Sequence, residues 1–160
     1  MTNSVFNPPI EDRYFEDYIP GSVYEFGSIV VEEKDIIDFA KKFDPQAFHL
    51  DPDKAMKGPF GGLIASGWHT TAITMRLLVD NYISRVASMG SPGSGSIRWL
   101  RPVRPGDVLS IRVTVLKTTR SRLKPDRGII RSFVKTMNQS GEVVMTRTAI
   151  GIFRCRTPME

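Results

Sequence analysis

Apolar and polar residues alternate along four stretches of the C-terminal half: residues 95–103 (GSIRWLRPV), 107–120 (DVLSIRVTVLKTTR), 128–139 (GIIRSFVKTMNQ) and 142–155 (EVVMTRTAIGIFRC). Period-two runs rich in β-branched residues predict strands. Turn chemistry separates them: Pro105 and Gly106 suit the central positions of a type II turn, and Gln139-Ser140-Gly141 suits a hairpin connection. The N-terminal half reads differently. A first strand is predicted after the turn at Pro20 and Gly21, ending at Val31. From about Glu33 the period becomes helical, with Ile36, Ile37, Phe39, Ala40 and Phe43 on one side. Acidic residues open that helix and Lys41 and Lys42 close it, the polarity the helix dipole favours. Pro45 disfavours helical geometry at Asp44 and ends the helix there.

Asp51 as an N-cap and Pro52 at the first helical position predict a short helix through about Met56. The glycine-rich passage GPFGGLIASG, residues 58–67, follows. Beyond Gly67, Trp68, Thr71, Ala72, Met75, Leu78, Val79 and Tyr82 fall on one face, widened by Ile73 and Leu77. This pattern predicts the longest and most buried helix, with that stripe mostly in the core. A Gly/Ser/Pro-rich link at residues 88–96 leads into the strands. The order of one strand, then helices, then four strands predicts an α+β fold in which an antiparallel sheet wraps against one long central helix. The 160 residues suit a single domain, residues 1–160 with a core of about 14–154, and no internal repeat is visible.

Composition narrows the classes. Apolar residues make up 41% and charged residues 24%, which is a globular balance. Charged residues interrupt every apolar run, so no membrane span or membrane partner is expected. The polar, acidic N-terminus lacks the build of a secretory signal, so the chain is read as mature from near Met1. Cys155 is the single cysteine, which excludes an intrachain disulfide and suits a cytoplasmic location. With two histidines and no metal-binding spacing, no metal site is expected. The net charge of +5 comes from scattered residues without a nucleic-acid motif, so nucleic acid is not expected as a partner. Two segments, residues 98–104 and 120–127, concentrate seven Arg or Lys. They suit either steering of a phosphate-bearing small molecule or a solvated surface. Arg98, Arg101, Arg120, Arg122 and Lys124 are the candidate contacts.

Candidate chemistry lies where the first helix breaks. Asp44 and His49 are five apart, about 140° on a continuous helix. Pro45 interrupts that helix and Asp51-Pro52 starts another, so both side chains occupy a tight connection that can aim them into one cleft and at one water. Asp44 at a helix C-terminus is placed against the dipole, an effect that favours its protonated form. The spacing alone also fits an Asp-Pro turn with a satisfied, partly buried histidine. Ser66 and Gly67 begin the long helix, where free amides and positive potential gather. The Gly67 amide can stabilise an oxyanion; an ordinary Ser cap with a glycine kept for close packing fits the same residues. His69 points to a different helix face and reads as structural or solvent-facing. Trp68 and Trp99 read as core or dimer contacts, and Asp107 as a turn residue.

The segment FDPQAFHLDPDKA, residues 43–55, with GGLIASG downstream, resembles the hydratase motif of the MaoC-like acyl dehydratases, the R-specific enoyl-CoA hydratase family. In that pattern Asp, any residue, Asn, Pro, any residue and His are followed by Asp-Pro. Asp44 and His49 fall on the catalytic pair, and the eighteen-residue step from His49 to Gly67 agrees with the oxyanion glycine. Gln46 stands where the family has Asn and Ala47 where it has Pro. The resemblance implies a hot-dog fold and reversible hydration of a trans-2-enoyl thioester to a 3-hydroxyacyl thioester. By the same resemblance Asp44, His49 and Gly67 are catalytic, and Gln46 and Ser66 are further candidate substrate contacts. No separate cofactor is implied, coenzyme A being part of the substrate, and a homodimer or higher homo-oligomer is expected. Other hot-dog domains hydrolyse acyl thioesters, and a silent acyl-thioester-binding protein is a third reading that the changes at Gln46 and Ala47 keep open.

Overall fold

The computed structural model describes residues 3–159. Strand β1 (Val23–Val30) is followed by helices α1 (Glu33–Phe43), α2 (Ala47–Leu50), α3 (Pro52–Lys57) and α4 (Gly67–Asn81). Strands β2 (Gly93–Trp99), β3 (Val108–Arg120), β4 (Arg127–Met137) and β5 (Val143–Arg154) complete the chain, after two short 3-10 turns near the N-terminus. The strands form one antiparallel sheet in the order β1-β3-β4-β5-β2, leaving β1 and β2 as its edges.

The predicted alternation sets the two faces of this sheet. On β3, Leu109, Ile111, Val113 and Val115 are buried while their neighbours are partly open. On β4, Ile130, Ser132, Val134 and Thr136 are the buried set. Each large apolar side chain fully buried this way contributes about 1.5–3 kcal/mol. The predicted turn at Pro105 forms as expected: Gly106 has φ +87° and the Asp107 amide donates to the Arg104 carbonyl at 3.1 Å. Strand β2 starts and ends earlier than the sequence pattern suggests, because Leu100 and Arg101 already turn away, both amides reaching the Val144 carbonyl.

Helix α4 is the longest helix and carries five buried residues, of which Leu77 and Leu78 belong to the predicted stripe, with Tyr82 of that stripe buried just past the helix end. His69, Thr70, Thr74, Leu77 and Leu78 face inward, while Trp68, Met75 and Val79 are 58%, 41% and 42% exposed. The reason is hydrogen bonding. Thr74 Oγ1 satisfies itself on the Thr70 carbonyl at 2.9 Å and on Thr136 Oγ1 at 2.7 Å, so a polar residue sits at the sheet contact without penalty. The part of the apolar stripe formed by Trp68, Met75 and Val79 is left on the outside. No helix among the described residues is long and apolar enough to cross a membrane.

Candidate active site

Helix α1 ends at Asp44, whose amide closes on the Ala40 carbonyl and whose backbone leaves helical geometry at φ −152° and ψ 67°. The next turn was not expected. Residues 47–50 form a single helical turn, α2, which follows Gln46 and carries His49. Asp51 then caps α3, its Oδ1 accepting the Asp53 and Lys54 amides at 3.1 Å each. Two helix starts within six residues hold His49 and Asp44 on neighbouring corners. The His49 Nε2 to Asp44 Oδ2 distance is 3.3 Å.

His49 is buried and its tautomer follows from its other nitrogen. Nδ1 lies 2.7 Å from the Ile64 carbonyl, which can only accept, so Nδ1 carries the proton. In the neutral ring Nε2 is therefore an acceptor, and it faces an acceptor oxygen of Asp44. The Ile64 carbonyl is itself fixed: the Ile64 amide bonds to Phe48 at 3.1 Å and the Ala65 amide to Val103 at 2.8 Å.

Asp44 receives hydrogen bonds on both oxygens. Gln46 Nε2 donates to Oδ1 at 2.6 Å and Ser66 Oγ donates to Oδ2 at 2.7 Å. Partial burial pushes its carboxyl upward, but these two donated bonds outweigh that and hold it below its ordinary range. The carboxylate is ionised, contrary to the expectation from the helix end alone. The dipole at the end of α1 is a weak effect, and two direct donors override it.

Ser66 also caps α4, accepting the Trp68 amide at 3.2 Å. The Gly67 amide, at the first helical position, has no acceptor among the described residues. Glycine is required here by a neighbour: a Cβ would lie 2.6 Å from the Trp99 ring, which covers the start of the helix. Trp99 Nε1 reaches Thr71 Oγ1 at 3.3 Å, and Trp68 meets Trp99 edge to face at 5.1 Å. Neither tryptophan is in the core, for they are 58% and 44% exposed. His49, Gly67, Thr70, Phe48, Phe60 and Trp99 line a cleft of about 400 Å³.

The other candidates divide. Gln46 and Ser66 are turned to Asp44, as orienting groups. Arg101 lines the cleft and pairs with Glu142 at 3.1 Å. Arg98 is exposed on β2, away from the cleft lining. Arg120 pairs with Glu16 at 3.1 Å, and Arg122 and Lys124 stand exposed beyond it. Arg120 ends β3 and the other two lie just past it, roughly 40 Å along the strand from the cleft end, so within one chain they are not brought to the site. His69 is buried and stacked 4.9 Å from Phe39, a structural position as expected. Sequence reasoning missed the roles of the Ile64 carbonyl and Trp99. A backbone acceptor leaves no residue signature, and the Trp99 contact depends on how β2 meets α4.

An antiparallel sheet curled round one long helix, with the site at that helix's N-terminus, defines a hot-dog protein. The chain belongs to the MaoC-like domain family, whose model matches residues 16–137. It is similar to the MaoC-like dehydratase of Rhodospirillum rubrum, 43% identical with a TM-score of 0.79 over 92% of this chain and 99% of that one. It also resembles the uncharacterised protein YdeM of Bacillus subtilis (strain 168), 34% identical over 78% of this chain and 86% of that protein. The R-hydratase PhaJ1 of Pseudomonas aeruginosa shares the fold, at 23% identity and a TM-score of 0.70 over 91% and 88% of the two chains.

Proposed function

We propose that this chain reversibly hydrates a trans-2-enoyl thioester to the 3-hydroxyacyl thioester. The observation that carries the reading is the opposition of Asp44 Oδ2 and His49 Nε2, an acceptor in the neutral ring, 3.3 Å apart beside a helix-terminal amide with no acceptor among the described residues. A water molecule can donate one hydrogen to each. In the forward step Asp44 takes a proton from that water, the oxygen bonds to the β-carbon, and the π electrons move onto the thioester oxygen. The Gly67 amide stabilises the resulting enolate. The proton held by Asp44 then goes to the α-carbon, and dehydration is the reverse. Coenzyme A is the proposed carrier, so no separate cofactor is assigned. Arg101, on the cleft wall, is the proposed contact for its phosphates. The R stereochemistry is the one carried by the name of the PhaJ1 relative.

A homodimer is part of the proposal. What supports it is the exposed row of Trp68, Met75 and Val79 on α4, together with the unpaired edge of β2. An open strand edge beside an apolar helix face is a surface that a second copy can complete. The enzyme is read as cytoplasmic.

The test is loss of the enoyl-thioester absorbance with crotonyl-coenzyme A and a longer homologue, with free thiol assayed in parallel. Loss of the band without thiol release, abolished in Asp44→Asn and His49→Ala, is the expected result. Thiol release would replace hydration with thioester hydrolysis, and no turnover of either substrate would sink the catalytic reading for linear enoyl groups.

A further inference from the structure

Helix α4 carries threonines at positions 70, 71 and 74, and two of them turn their hydroxyls onto their own helix. Thr71 Oγ1 donates to the Gly67 carbonyl at 2.8 Å and Thr74 Oγ1 to the Thr70 carbonyl at 2.9 Å. Bonding back to the residue four positions earlier is the common way for a helical threonine to satisfy itself. Thr70 is the exception. It is only 3% exposed, yet among the described residues its Oγ1 has no hydrogen-bond partner. The Ser66 carbonyl, four positions earlier, accepts the Thr70 amide at 3.0 Å and not the hydroxyl.

That oxygen is not sealed in. Among the described residues the side-chain atoms both enclosed and unpartnered are Arg13 Nε, His69 Nδ1 and Arg147 Nε, and Thr70 Oγ1 is not one of them. The open space that Thr70 meets is the cleft it lines with His49 and Gly67. Side chains on a helix tilt toward its N-terminus, so a residue three positions on lies over the turn that begins at Gly67. This direction carries the Thr70 hydroxyl back toward the Gly67 amide.

The other polar side chains of the cleft wall are engaged elsewhere. His49 Nδ1 is on the Ile64 carbonyl and Nε2 faces Asp44, Trp99 Nε1 reaches Thr71 Oγ1, and Arg101 pairs with Glu142. The rest of the wall is apolar side chains and the glycine. Thr70 Oγ1 is therefore the uncommitted side-chain donor beside the amide. A nearly buried hydroxyl left unpaired weakens a fold, so this one calls for a partner that arrives with the substrate.

We propose that Thr70 is a further catalytic residue, its hydroxyl donating, beside the Gly67 amide, to the thioester oxygen on which the enolate charge gathers. The inference rests on the hydratase reading above and adds a side-chain donor to it. A preformed second donor acts where the charge develops. No proton leaves Thr70: its O–H bond stays intact while the π electrons move onto the thioester oxygen, and the hydrogen bond strengthens with that charge. The carbonyl of the unreacted thioester is a weaker acceptor, so the hydroxyl acts on kcat more than on KM.

Thr70→Val, Thr70→Ala and Thr70→Ser in the full-length protein test this with two probes. One is turnover of crotonyl-coenzyme A. The other is acetoacetyl-coenzyme A, a 3-oxoacyl thioester whose enolate has its own ultraviolet band and needs no turnover to be seen. Thr70→Val keeps the shape without the hydroxyl, so kcat is expected to fall by about 10²-fold with KM within about threefold of wild type. The bound acetoacetyl thioester should then show less of the enolate band at the same pH. Thr70→Ser should restore kcat to within about fivefold of wild type, and the band with it. Because the hydroxyl has no partner within the fold, Thr70→Val should melt no lower than wild type. Thr70→Ala should show the same loss of band and serves if the valine variant does not fold. An active wild type matched by Thr70→Val in both kcat and enolate band overturns the role of Thr70 and leaves hydration standing. A wild type without turnover whose enolate band depends on Thr70 keeps the donor and overturns hydration instead. Equal losses of kcat in Thr70→Val and Thr70→Ser, with the band unchanged in both, would mean packing and overturn the proposal. Neither turnover nor band in the wild type overturns both.

Discussion

At its N-terminal end α4 leaves the Gly67 amide without an acceptor among the described residues and stands beside two acceptors that face each other across 3.3 Å. At its C-terminal end the carbonyls of Leu78, Asn81 and Tyr82 are answered. Arg13 donates to the Asn81 and Tyr82 carbonyls, and Tyr18 Oη donates to the Tyr82 carbonyl at 2.7 Å while accepting the Ser84 amide at 3.0 Å. Tyr82 Oη is engaged by Ser132. Every helix has unpaired amides at its start and unpaired carbonyls at its end. Here the carbonyl end is closed by an aromatic, hydrogen-bonded core that holds the helix in place, and the amide end is kept open. The difference teaches where stability and chemistry reside: substitutions at the two ends should separate into changes of rate and changes of folding.

The sharpest way to break this division is Asp44→Asn. It keeps the shape and the fold but removes the base, and kcat/KM should fall by about 10²–10⁴-fold with little change in the urea midpoint. A large loss of stability instead would mean that the open end is structural after all. Next in size is Gly67→Ala, which keeps the amide but drives a methyl into the Trp99 ring. A displacement of this kind should lower kcat by about 10²-fold, and tryptophan fluorescence should report the moved ring. The opposite pattern is expected for Tyr18→Phe. It strands the Ser84 amide and removes one of the bonds to the Tyr82 carbonyl, so urea denaturation should show a loss of about 1–3 kcal/mol with kcat/KM unchanged.

A smaller effect sharpens the account of the carboxylate. Gln46→Ala removes the donor on Asp44 Oδ1, so the carboxyl titration, followed by carbon NMR, should move upward from its depressed position. The rate should fall by about tenfold, the size of one partly exposed hydrogen bond of about 1–1.5 kcal/mol. The smallest expected effect concerns His69, buried against Phe39 and outside the site. Burial pushes its ring below the ordinary value of 6.5, against a weaker opposing pull from Asp35. The unfolded chain therefore takes up a proton before the folded one does. The stability involved is fully present above about pH 6.5 and is lost as the pH falls from there towards the folded value. Thermal melts should show wild type losing more stability than His69→Phe on acidification below about pH 6.5.

Much of this division is visible in the residue pattern. Strand alternation, the break at Pro45, the Asp51 cap and the Ser66-Gly67 start of α4 are local signals, and each appears where expected. The Asp44–His49 pair is legible for the same reason, since only four residues separate the two side chains and a proline constrains the path between them. The stripe of Trp68, Met75 and Val79 misleads because hydrophobic spacing marks a face to be covered but does not say by what. Within this chain the sheet takes the threonine face, where Thr74 and Thr136 satisfy each other.

By itself the sequence determined the elements, their order and the identities of the reacting side chains, because these depend on backbone preferences and contacts a few residues apart. Only the tertiary structure decided the His49 tautomer, the Ser66 hydroxyl donating to Asp44 and the ring lying over Gly67. Each depends on atoms brought together from positions far apart in the chain, where direction and distance set the interaction, and neither is encoded in local spacing.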